Sequence, residues 1–177
     1  MATKREIETV EGYAEWLTRI PWQLFATYTF AWSVSDRQAD EVFREYINQL
    51  ERTLRSPVAY VRGDEKRFSG CGKPASPRHY HALLAAHVHL NPDQVKSLWW
   101  QFGGRGHEKD SADVRSYDPS GQAAQYCLKL IHEPDGDWKF GNLDLFMPGL
   151  KFEAQNKRAR RRAGRNQART SEKESAD

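Results

Sequence analysis

A chain of 177 residues, 38% of them hydrophobic, has room for one domain with a buried core and a tail. No stretch approaches about eighteen consecutive apolar residues, and the opening Met-Ala-Thr-Lys-Arg-Glu lacks an apolar run. Neither a membrane span nor a secretory signal is therefore expected, which places the protein in the cytoplasm, or in the nucleus of a eukaryotic host. The net charge of +3 is uneven: from Lys151 to Asp177 nine Lys or Arg face four acids, so this segment carries +5 and the first 150 residues sum to −2. A near-neutral body with a basic appendage is the footprint of a polyanion partner, with Arg158, Arg160, Arg161 and Arg162 as the expected phosphate contacts.

In chain order, Val10, Tyr13, Ala14, Leu17 and Ile20 fall at helical spacing before Pro21 and predict a lead-in helix over residues 1–21. Trp22 to Phe30 alternates as a strand, with Leu24, Ala26, Tyr28 and Phe30 on one face and Phe25, Thr27 and Thr29 on the other. Ser35 and Gln38 form a capping box ahead of Ala39, Val42, Phe43, Tyr46, Ile47 and Leu50, an amphipathic helix running to about Arg55. Pro57 to Arg62 reads as a strand ending in Gly63-Asp64-Glu65, and Lys66 to Pro77 as a loop.

The stretch Arg78-His79-Tyr80-His81-Ala82-Leu83-Leu84-Ala85 carries the strongest chemical signal. On a strand, side chains alternate, so His79 and His81 share a face at a separation of about 6.6 Å, within reach of one divalent ion. The same spacing would suit two surface histidines at a strand start. An antiparallel return from the preceding strand brings Asp64 or Glu65 alongside; Glu65 has the longer reach, and Asp64 is the alternative. His87-Val88-His89 is a second pair with the same parity, but Leu90-Asn91-Pro92-Asp93 follows at once as a strand end and helix cap, so this pair is expected to be exposed.

Val95, Leu98, Trp99 and Phe102 predict a helix ended by Gly103-Gly104, and Ser111 to Tyr117 a short strand. A further helix is expected from about Pro119 to His132, capped by Asp118 or Ser120. Its apolar stripe is Ala123, Cys127, Leu130 and Ile131, widened by Ala124 and Leu128. Tyr126 and Lys129 lie off that stripe, one turn apart. Glu133 to Gly149 is mixed and predicts a short hairpin or covering segment. Cys71 and Cys127 cannot build a tetrahedral zinc site alone and are expected as free thiols.

Taken together, Leu24-Phe25-Ala26-Thr27-Tyr28-Thr29-Phe30, the His79/His81 pair and Tyr126-Cys127-Leu128-Lys129 resemble the three motifs of the HUH endonucleases, in particular the rolling-circle replication initiators with a single catalytic tyrosine. The resemblance spans residues from about 22 to 131. The loop before the histidines departs from the family pattern, which leaves the acid without an unambiguous alignment.

The resemblance implies an α+β fold, a central antiparallel sheet with packed helices of the HUH/RRM-like, ferredoxin-like kind, over a nicking domain at residues 22–152, followed by a basic, disordered tail at 153–177. It further implies that His79, His81 and Glu65 hold Mg²⁺ or Mn²⁺ and that Tyr126 is the nucleophile, assisted by Lys129. The implied substrate is single-stranded DNA at a replication origin or a hairpin within it, with a separate host or element helicase as partner, since no nucleotide-binding glycine motif is present. A transposase or relaxase of the same chemistry and a non-catalytic nucleic-acid-binding module with an RRM-like sheet are the alternative readings.

Overall fold

The computed structural model describes residues 12–65, 78–104, 111–121, 123–128 and 137–147. The chain divides into two compact units, Met1–Asn142 and Leu143–Asp177. In the second, the described residues form one 3₁₀ turn, Leu143–Leu145. The first contains β1 (Leu24–Thr29), α1 (Asp36–Leu54), β2 (Val58–Glu65), β3 (His79–Ala86), α2 (Pro92–Phe102), β4 (Ala112–Ser116), α3 (Ala123–Leu128) and β5 (Asp137–Gly141). The five strands form one sheet in the order β4-β1-β3-β2-β5, antiparallel at every pairing. The fold is α+β, as expected. Within it, β1-α1-β2-β3-α2-β4 gives the βαββαβ order of a ferredoxin-like sheet, with β5 added beyond β2.

Local sequence explains the helices. Ser35 accepts from the Gln38 amide while the Gln38 side chain accepts from the Ser35 amide, so α1 starts with the expected reciprocal cap. It ends at Arg55, which adopts φ 51° and returns its amide to the last carbonyls. Asn91 caps α2 through its side-chain oxygen, which accepts from Asp93 and Gln94, and Pro92 occupies the first turn, where its missing donor costs nothing.

Alternation then decides what each face of the sheet meets. Leu24, Ala26 and Tyr28 of β1 and Tyr80, Ala82, Leu84 and Ala86 of β3 bury against Ala39, Phe43, Tyr46, Ile47 and Leu50 of α1 and Val95 and Trp99 of α2. Tyr46 donates to the Val95 carbonyl at 3.2 Å, leaving its oxygen to accept from Tyr28 at 2.7 Å. The indole of Trp99 donates to the Thr29 carbonyl at 3.2 Å. Two buried phenols and an indole are thus satisfied within the aromatic core.

Charges buried on this face are paired. Arg62, almost fully enclosed, donates to Asp40 and lies over the rings of Tyr80 and Phe43, at 4.0 and 5.0 Å from their centroids. Asp40 also receives Lys139 from β5. Partial burial pushes the Asp40 carboxyl up, but the hydrogen bond from Lys139 and the charge and hydrogen bond of Arg62 outweigh it and hold the group below its ordinary range.

One expectation is corrected here. Residues 118–121 form a turn, not the first turn of a helix: the Asp118 carboxylate accepts from the Ser120 amide and hydroxyl, and Gly121 donates to the Asp118 carbonyl. The described helix begins at Ala123. The mixed segment after Glu133, expected as a short hairpin or covering segment, supplies among its described residues a fifth strand, β5, that covers the edge of β2. Residues 12–17 are helical, and Trp22 donates to the Leu17 carbonyl at 2.8 Å; the rest of the expected lead-in helix before Gly12, the loop over residues 66–77, and the tail lie outside the described residues. No helix among the described residues is long and apolar enough to cross a membrane.

Candidate metal centre

The pairing of β2 with β3 sets Glu65 opposite His79 and Gly63 opposite His81. Directly opposed residues share a face, so Glu65, His79 and His81 project together from the side of the sheet opposite α1 and α2. A single oxygen of Glu65, Oε2, lies 3.0 Å from Nε2 of His79 and 3.0 Å from Nε2 of His81. One donor atom from each residue falls within 4.8 Å of the others. The three side chains are only 10–13% exposed, so their polar atoms are largely withdrawn from water and face one another.

Asp64, the alternative acid, is one residue away and points the other way. It pairs with Tyr80, is completely buried, and accepts from Arg78 Nε at 2.9 Å and from Arg78 Nη2. Arg78 also reaches Asp36 at the start of α1, at 2.7 Å. Strand parity therefore assigns Glu65 to the centre and Asp64 to an ion pair beneath the sheet.

β1 holds His81 from the other side. Thr27 is its partner in the β1–β3 pairing, and Thr27 Oγ1 lies 3.1 Å from His81 Nδ1. The Phe25 ring is stacked on the imidazole at 6.0 Å between centroids and 7° between planes. On its outer side, exposed Arg115 of β4 lies 5.1 Å from the Phe25 centroid. The Thr27 hydroxyl can donate to or accept from Nδ1; the tautomer with its proton on Nδ1 is the one that would leave Nε2 to a metal ion. Two imidazole nitrogens and a carboxylate oxygen, one imidazole braced from behind, suit a divalent ion, and Glu65, His79 and His81 could hold one.

Tyr126 reaches the same place from α3. Ala124, Cys127 and Leu128 are buried and seat the helix over β2 and β3. Tyr126 remains 47% exposed, and its ring centroid lies 5.0 Å from that of His81 at 81°. The off-stripe position read from the sequence thus brings the tyrosine to the histidine pair. Burial pushes the neighbouring Cys127 thiol far above its ordinary range, which makes it an inert packing group.

Comparison of the chain with family models, curated proteins and solved structures returns no match. The functional reading accordingly stands on the geometry and on the motif resemblance.

The second histidine pair is elsewhere. β3 ends at Ala86, and His87 and His89 lie beyond it, exposed and away from the triad. Lys129, Cys71, Arg158, Arg160, Arg161 and Arg162 lie outside the described residues. Sequence reasoning overlooked Thr27 and Phe25 as supports of His81, although both stand on the non-core parity of β1. It also overlooked Gly63, whose place opposite His81 follows from the same register that puts Glu65 opposite His79.

Proposed function

We propose that the protein is a metal-dependent endonuclease that nicks and rejoins single-stranded DNA through a covalent tyrosine intermediate, as a replication initiator. The observation that supports this reading is the convergence of a two-histidine, one-carboxylate cluster and an exposed tyrosine on one sheet face, with the Tyr126 ring 5.0 Å from that of His81.

Glu65, His79 and His81 would hold Mg²⁺ or Mn²⁺, which when bound draws charge from the scissile phosphate and orients it. Tyr126 supplies the attacking oxygen. That oxygen bonds to phosphorus, the bond to the 3′-oxygen breaks, and the products are a 5′-phosphotyrosine and a free 3′-hydroxyl. The phenol loses its proton and the departing oxygen gains one, so the step is balanced and runs backwards without ATP. An unactivated phenol gives up its proton only near pH ~10, so a cation or base must assist; Lys129, one turn along in the Tyr-x-x-Lys spacing, is assigned that role by the resemblance. A separate helicase would open the duplex.

Tyr126→Phe tests the assignment. It should abolish cleavage of single-stranded DNA and the covalent adduct while leaving fold and DNA affinity intact, because only the attacking oxygen is removed. Undiminished nicking by this variant would falsify the nucleophile assignment. A preference for element ends over an origin would point to a transposase, and metal-independent binding without cleavage to a non-catalytic module.

A further inference from the structure

Gly63 occupies a strand position where glycine is usually a cost, since it weakens strand packing and loses the most freedom on folding. Its backbone lies outside the left-handed region, so conformation does not demand glycine there. Space does. A Cβ on Gly63 would collide with the carbonyl oxygen of Cys127 and lie 3.0 Å from its carbonyl carbon and 3.4 Å from its Cα. The backbone of α3 therefore rests directly on the backbone of β2, in the volume that a side chain would fill.

The place of this contact matters. Gly63 is the cross-strand partner of His81 and stands two residues before Glu65 on the same face. Cys127, the residue that rests on it, directly follows Tyr126. Elsewhere on this face β2 carries Ala59 and Val61, both fully buried, so the missing side chain is confined to the point where the helix touches down beside the histidines.

We infer that Gly63 is a positioning residue that sets the distance between Tyr126 and the His79/His81/Glu65 cluster by letting the α3 backbone seat on β2. The inference rests on the reading of Tyr126 as the attacking group. Gly63 touches no reacting atom. A methyl group there must lift α3 off the strand, because the opposing atoms belong to backbone and cannot rotate away, and Tyr126 moves with them. A displacement of the order of 1 Å is enough to cost about 100-fold in rate.

The test is Gly63→Ala in the full-length chain carrying 3-fluorotyrosine at position 126, with Mn²⁺ as the probe. The strand should tolerate alanine and the triad should keep its Mn²⁺ affinity. Broadening of the fluorine resonance by bound Mn²⁺ should weaken, since it falls steeply with distance, and single-turnover cleavage should drop about 100-fold with little change in DNA affinity. Wild-type broadening in the variant overturns the proposal, whatever happens to the rate. Because the fluorine signal reports position and not chemistry, it also decides the matter if Tyr126 proves not to be the nucleophile. A second measurement needs no variant and no metal: the wild-type protein should show a nuclear Overhauser contact between the α-protons of Gly63 and Cys127, and its absence overturns the proposal even if Gly63→Ala fails to fold.

Discussion

Asp64 and Glu65 are consecutive acids at the end of one strand, and the two faces of the sheet treat them differently. Below, Asp64 is fully buried and closed off by the Arg78 guanidinium, next to an aromatic core and a second ion pair between Arg62 and Asp40. Above, Glu65 meets two imidazoles through one oxygen, beside an exposed tyrosine. A permanent cation with a forked donor makes a structural pair; two imidazoles gathered around one carboxylate oxygen make a set that could hold an ion. The difference separates scaffold from chemistry across the thickness of a single strand.

The largest effect expected from breaking this division is at the upper face. Glu65→Ala or His81→Ala should abolish Mn²⁺ binding, measured by calorimetry, and DNA cleavage with it, while the melting temperature changes little. Asp64→Ala should do the reverse. It strands a buried guanidinium and should cost about 3 kcal/mol in denaturant unfolding, the lower end for a broken buried pair because Arg78 keeps Asp36, yet the folded fraction should bind Mn²⁺ as the wild type does. Retained stability in that variant, or lost metal affinity, would overturn the division drawn here.

A smaller effect is expected at Thr27. Thr27→Val keeps the shape of the side chain and removes the partner of His81 Nδ1, so metal affinity should fall about tenfold, with Thr27→Ser restoring it. Asp40 provides a pH test of the lower face. Its folded value is held below that of an unfolded aspartate, so its contribution to stability is complete above about pH 4 and is lost as the pH falls through the folded value. Thermal melts of wild type and Asp40→Asn should therefore converge on acidification, and a gap that persists at the acid end would contradict the pairing. The smallest effect belongs to His87→Ala and His89→Ala, which should leave Mn²⁺ affinity unchanged.

Much of this arrangement was legible in the chain. Strand parity alone places His79 with His81, and the buried stripe of Ala124, Cys127 and Leu128 leaves Tyr126 outward. The capping box at Ser35 and Gln38 was readable because both partners are local. What escaped depended on register between distant strands. Glu65 was preferred to Asp64 for its reach alone, and the firmer reason, its pairing with His79, needed the register; Thr27 acquires its role only from standing opposite His81. β5 was hidden because Asp137–Gly141 is short and ends in glycine, so its strand character comes from docking on β2 rather than from its own pattern. The turn at Asp118 imitates a helix cap, since the same side-chain hydrogen bond serves both.

β3 lies at the middle of the five strands, hydrogen-bonded on both sides, and it carries both histidines. Such a strand exchanges its amide hydrogens only when the sheet on both of its sides opens, the costliest opening a domain undergoes. The histidine pair therefore stands on the part of the fold that opens last. Under the proposed function, the ligand cluster would be the fixed reference against which a bound strand is placed.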